Sequence, residues 1–152
     1  MTERAKQAGK NFVDGYNCAQ ATAIAFAEEL NMDQASVARL ASSFGGGMGR
    51  MREVCGAVSG ALMVLGYLKG TDGTESGEVK MQHYARVQEF AKRFKALHGT
   101  ILCRELLENV PLKQEGSPVP EERTEAYYKT RPCAIFVEDA VSILEQMLQE
   151  EL

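Results

Sequence analysis

The sequence predicts an all-α, single-domain bundle of about six to eight helices. Three observations predict it. Ala-rich and Leu-rich segments recur at helical spacing along the chain. No stretch shows the apolar–polar alternation of a half-buried strand. Capping residues such as Asn17, Asp33, Gly70 and Gly99 divide the helical segments. The 152 residues suit one domain. A chain of this length buries roughly 70% of the surface its unfolded form exposes, so a core forms without covalent staples. No linker, repeat or low-complexity tract interrupts it, and residues 1–152 read as one helical domain.

The first helix is expected over about Thr2 to Tyr16, with Ala5, Ala8, Phe12 and Tyr16 on one face. Asn17 reads as the N-cap of the next helix, and Gln20, three residues on, completes a variant of the capping box. The segment it opens, CAQATAIAFAEEL, is small or apolar nearly all round, the pattern of a central buried helix. Asp33 caps a third helix that ends in the glycine run FGGGMG. A fourth is expected from near Arg50 to the C′ position Gly70, central and almost fully buried. Its apolar stretch, Val54 to Leu68, falls short of the roughly 20 residues that span a bilayer. After the polar loop GTDGTESG, a long amphipathic helix carries Val79, Tyr84, Val87, Phe90, Phe94 and Leu97 in its stripe and ends at Gly99. Thr100 caps a short helix that holds Cys103. The stretch VPLKQEGSPVPEE contains three of the four prolines and reads as an irregular surface crossing. The last helix starts at Pro132, buries Cys133, Val137, Ala140, Val141, Leu144 and Leu148, and ends in the solvated EQMLQEEL.

Charge narrows the function classes. The net charge is −4, the two signs are interleaved, and there is no Trp. Without a basic stripe or stacking platform, nucleic acid is not an expected partner. The opening MTERAKQAGK lacks the apolar region of a secretory signal. A cytoplasmic protein without membrane insertion is therefore expected. Cysteines in that reducing compartment serve metal binding, catalysis or redox sensing more often than static bridging.

The four cysteines are Cys18, Cys55, Cys103 and Cys133, with no CxxC among them. At least three fall in the first turn of a helix: Cys18 follows its cap, Cys103 lies three residues after Thr100, and Cys133 follows Pro132. Free N–H groups and the positive dipole end stabilise an anion there. A thiol so placed shifts toward thiolate, the form that attacks disulfides and binds metals. Arg52, Arg104 and Arg131 stand close in sequence to Cys55, Cys103 and Cys133. The four thiols are candidate redox catalysts. Alternatively they are ligands of a zinc ion or an iron–sulfur cluster, with His98 open to a Cys₃His variant. The competing reading is that they pack as small hydrophobes.

The glycines divide into two groups. Gly56 and Gly60 share a helix face, as do Ala57 and Ala61, and admit a close neighbouring backbone. Helix glycines cost about 1 kcal/mol against Ala, so a packing or functional reason is expected. Gly45, Gly46, Gly47 and Gly49 are candidate cofactor-binding residues, because their N–H groups can form a nest for an anion or for cluster sulfurs. The run matches neither G-x-G-x-x-G nor a P-loop.

The segment CGAVSG, Cys55 to Gly60, resembles the CGAxxG motif of a family of redox-active proteins written C_GCAxxG_C_C. NCAQA holds the first of that family's four characteristic cysteines, Cys18. Cys55 is the second, Cys103 the third, and Cys133 in RPC the fourth. The resemblance covers nearly the whole chain. It implies redox activity, a bacterial or other microbial source of mostly anaerobic habit, and for many members genes beside transporter loci.

Two function classes follow. The first is a cytoplasmic thiol protein that passes electrons or exchanges disulfides with a redox partner protein, an oxidoreductase role, or that holds a metal through its cysteines. The second is a non-catalytic helical interaction module linked to a transport system, with structural cysteines. Assembly into a homo-oligomer is open in both. Cys55, beside the glycine run, is expected to be the most reactive thiol, and the four cysteines are expected to gather on one side of the bundle.

Overall fold

The computed structural model describes residues 1–150; Glu151 and Leu152, the last of the expected solvated tail, lie outside the described residues. Among the described residues there are eight helices and no sheet. They are α1 (Glu3–Val13), α2 (Cys18–Ile24), α3 (Gln34–Ala41), α4 (Gly56–Lys69), α5 (Gly77–His98), α6 (Cys103–Leu106), α7 (Glu125–Thr130) and α8 (Cys133–Glu150). One further turn, Gly45–Met48, is broken by left-handed Gly46 and Gly47 and acts as a glycine loop.

Local chemistry sets most boundaries. Thr2 Oγ1 accepts from the Ala5 N–H at 3.2 Å and opens α1. The helix ends at Val13, so Tyr16 lies beyond it rather than on its buried face. The capping box forms as read: Asn17 Oδ1 accepts from the Gln20 N–H at 2.9 Å, and Gln20 Oε1 accepts from the Asn17 N–H at 3.0 Å. The helix it starts is shorter than the apolar segment, stopping at Ile24, although Phe26 and Leu30 beyond it remain buried.

The largest departure is at α4, which begins at Gly56 and not near Arg50. Met48, Arg50 and Arg52 all take positive φ, at 70°, 68° and 60°. Residues 52–55 are instead pulled into backbone pairing with residues 101–104. Val54 and Leu102 form an isolated antiparallel bridge, Cys55 N–H donates to the Ile101 carbonyl at 2.8 Å, and Cys103 N–H donates to the Glu53 carbonyl at 2.7 Å.

In the interior, α4 lies against α2, α2 against α1, and α8 closes the core by packing on all three, with α5 on its outer side. Phe12, Phe26, Leu65, Phe90, Phe94 and Leu144 are fully buried. Gly60 makes the α2–α4 approach feasible: a Cβ there would stand 2.6 Å from the Ala19 carbonyl oxygen. On α5 only Phe90 and Phe94 are buried, while Val79, Tyr84 and Leu97 of the expected stripe are exposed, because α8 covers a narrow strip of that helix. The helix α7, capped by Thr124, was not anticipated. No helix among the described residues is long and apolar enough to cross a membrane.

Candidate functional site

Each of the four cysteines stands where a helix starts. Cys18, Cys103 and Cys133 are the first residues of α2, α6 and α8, and Cys55 is the N-cap of α4. The fold turns these four starts toward one point. The 52–55 and 101–104 pairing sets Cys55 and Cys103 side by side. Gly47 lies directly beneath them, where a Cβ would come 2.7 Å from both the Cys103 Cβ and the Glu53 nitrogen. Gly56 lets Cys18 approach, since a Cβ there would lie 3.1 Å from the Cys18 Cβ.

All four cysteines border a single internal void of about 10 Å³, closed by Leu106, Leu107 and Phe136. The expectation that they gather is met. All four are free thiols. Cys18, Cys103 and Cys133 also face a larger cavity of about 410 Å³, but Cys55 does not. Three of the candidate glycines, Gly45, Gly46 and Gly49, line that cavity, and Gly47 lines the inner void.

The thiols differ electrostatically. The neighbouring Cys18 thiol, with the Arg131 and Arg123 charges, outweighs burial and brings the Cys133 thiol down to about 7. Its proximity to Cys133 and its burial hold Cys18 well above the ordinary thiol range. Burial pushes Cys55 up to about 12. Burial also raises Cys103, against an Arg52 Nη1 donor at 3.6 Å from its sulfur. The thiol expected to be most reactive, Cys55, is one whose ionisation burial disfavours. Both are buried, Cys55 at 4% and Cys133 at 5% exposure, but only Cys133 lines the open cavity and is disposed to ionise.

The arginines also sort differently from their sequence neighbours. Arg52 serves Cys103 rather than Cys55, and Glu115 holds it through two nitrogens, Nε and Nη2. Arg104 turns away from Cys103, pairing with Glu53 at 2.6 Å. Arg131 does reach Cys133; it also pairs with Glu121 and lies 4.6 Å over the Tyr127 ring. Sequence reading missed Arg50, Arg123 and Tyr127, which complete the cavity wall. Its one available signal was the proline-rich crossing itself, since site residues are often carried on loops held by a rigid scaffold.

His98 bonds to Asp139 at 2.8 Å and packs on Phe94 and Phe136, in the α5–α8 seam. Among the described residues no three His, Cys, Asp or Glu side chains form a group able to hold a metal ion. As they stand, the four sulfurs do not present the zinc or iron–sulfur site that the sequence left open.

A family model described as "Putative redox-active protein (C_GCAxxG_C_C)" matches residues 16–147. No curated protein and no solved structure matches the chain.

Proposed function

The chain belongs to the C_GCAxxG_C_C family, and from that footing we propose that it is a thiol–disulfide redox protein in which Cys133 attacks and Cys18 resolves. The observation that carries this reading is the juxtaposition of these two thiols, which share the wall of one open cavity and the inner void beneath it and shift each other's ionisation in opposite directions. A nucleophile needs access and thiolate character, and a resolving thiol must lie within reach of it. In the reaction the Cys133 thiolate attacks one sulfur of a bound disulfide and releases the other half as a thiol. Cys18 then gives up its proton and attacks the Cys133 sulfur, releasing the second half. Two electrons pass from the protein pair to the bound disulfide. Cys55 and Cys103 are not the entry thiols in this reading. A separate redox partner re-reduces the pair.

The test is an equilibration of the reduced protein in graded thiol–disulfide buffers, followed by peptide mapping. A Cys18–Cys133 disulfide should form and reverse. Four thiols that stay free in the most oxidising buffer would overturn the proposal.

A second expectation concerns pH. Cys133 ionises near 7, where an ordinary thiol ionises near 9. Its lowered value means that thiolate is present above about pH 7 and is lost as pH falls through it. Iodoacetamide labelling of Cys133 should thus rise about tenfold per pH unit below 7 and level off above it. Cys55 should label far more slowly throughout. A Cys133 profile still climbing at pH 9 would refute the assignment.

A further inference from the structure

The cavity above Cys133 carries more cation than its protein partners neutralise. Arg50, Arg52, Arg123 and Arg131 line it. Glu115 pairs with Arg52 and lies 3.9 Å from Arg50, and Glu121 pairs with Arg131. Two carboxylates thus face four guanidiniums. Arg123 has no carboxylate partner among the described residues. One nitrogen donates to the Phe12 carbonyl at 2.7 Å and the other to the Tyr16 carbonyl at 3.0 Å, and its plane lies over the Phe12 ring at 4.4 Å. A guanidinium has five N–H donors, so most of its bonding capacity is left for a ligand. Arg50 is braced in the same way by the carbonyls of Lys113, Gln114 and Ser117. These arginines are fixed before anything binds, which lowers the entropy lost on capture of an anion.

Phe12, Leu107, Pro118 and Pro120 add apolar surface to the lining, beside polar Asn17, Ser42 and Tyr127 and the Arg131-paired Glu121. A volume of about 410 Å³ falls in the range of small-molecule sites. The combination fits a short apolar or sulfur-containing body with carboxylates at its ends, its middle held over the thiols.

We propose that the substrate of this site is a low-molecular-weight disulfide bearing carboxylates, anchored by Arg123 and Arg50 with its sulfurs over Cys133. This inference rests on the Cys18–Cys133 exchange proposed above and names its substrate class. The atoms balance: one substrate S–S bond breaks, one protein S–S bond forms, and the two protein thiol protons end on the two released carboxylate-bearing thiols. The substrate is reduced by two electrons and the cysteine pair is oxidised by two.

The experiment compares three disulfides of equal length on the reduced full-length protein. Dithiodiglycolate carries two carboxylates, bis(2-hydroxyethyl) disulfide is neutral, and cystamine carries two ammonium groups. Each rate is divided by the rate of the same reagent with a free neutral cysteine derivative, which removes differences in leaving group. Dithiodiglycolate should react roughly tenfold or more faster than the neutral reagent, and cystamine slower than both. In Arg123→Gln the preference should shrink toward unity, beyond any general slowing from a weaker Cys133 thiolate. Adipate, the unreactive isostere of dithiodiglycolate, should slow alkylation of Cys133 in the unaltered protein, and neutral adipamide should not. That measurement needs no variant to fold. Equal normalised rates for anionic and neutral disulfides, or adipate without effect, would overturn the substrate class while leaving exchange intact. Failure of all three reagents to form the Cys18–Cys133 disulfide would instead bring down the exchange reading.

Discussion

Cys133→Ser should leave a folded protein whose first attack on a disulfide is at least about fivefold slower at pH 7 and which cannot form the Cys18–Cys133 bridge. The number comes from the thiolate fraction. A thiol that ionises near 7 is about half thiolate at neutral pH, whereas one at 9 or above is about 1% ionised or less. Without Cys133, the cavity thiols left are Cys18 and Cys103, and burial raises both. Lower basicity also makes a thiolate less nucleophilic, by a factor of about ten over two units. The net gain to Cys133 in the first attack is thus about fivefold, and the adjacent Cys18 adds the second step that completes exchange. Cys18→Ser separates the two roles. It should permit the first attack and then stop, leaving a trapped mixed disulfide on Cys133 that mass spectrometry reads as one added reagent half. If Cys18→Ser gives no adduct, or Cys133→Ser turns over like the unaltered protein, the assignment of attacker and resolver fails.

Gly60→Leu should lower the melting temperature by about 4–8 °C. A Cβ at this position meets the Ala19 carbonyl oxygen at 2.6 Å and the Ala19 Cα at 3.1 Å, both of them backbone atoms of α2. The helices must part, and because the obstruction is backbone the cost lies toward the upper end of the typical overpacking range, about 3 kcal/mol. Leu is a better helix former than Gly by nearly 1 kcal/mol, which offsets part of that cost but not all of it. Each kcal/mol corresponds to about 2–4 °C in a domain of this size. The displacement also reaches the site, because Cys18 precedes Ala19 on the same helix. Exchange should slow together with the loss of stability. A variant that melts with the unaltered protein would show that α2 and α4 are not packed backbone to backbone.

The parts of the fold that were legible in the sequence are those written in local chemistry. The Asn17–Gln20 capping box, the stop at Gly70 and the left-handed Gly99 all involve residues within one turn of each other. The small residues Gly56 and Gly60 signalled a close helix contact, because only such an approach compensates for their cost within a helix. Arg50 to Cys55 was not legible. Its neighbours suggest a helix, and what prevents one is pairing with residues 101–104, some fifty positions away. The α5 stripe misled for a related reason. Periodicity shows that a face is apolar but not that another element covers it, and Tyr84 and Leu97 have no such cover.

The candidate site was half visible. Thiol positions at helix starts could be read from caps and from Pro132. The order of reactivity could not, because it depends on which thiol is sealed in the core and which one Arg131 and Arg123 face. The cavity wall escaped notice because its arginines are scattered between residues 50 and 131, and no local pattern connects them.

The convergence of four helix starts on one void also bears on the order in which the protein must be made. Successive cysteines are at least 30 residues apart in the chain. Short-range helix formation takes about a microsecond or less. The four sulfurs gather in their native arrangement only once α8 docks and brings Cys133 to α2. Until then the chain presents four ordinary, competing thiols, and two disulfides could join them in three ways. An oxidant arriving at that stage would lock in pairs that the bundle cannot accommodate. The productive sequence is to fold reduced and be oxidised afterwards, so refolding yield should depend on reductant even though the folded reduced protein contains no disulfide.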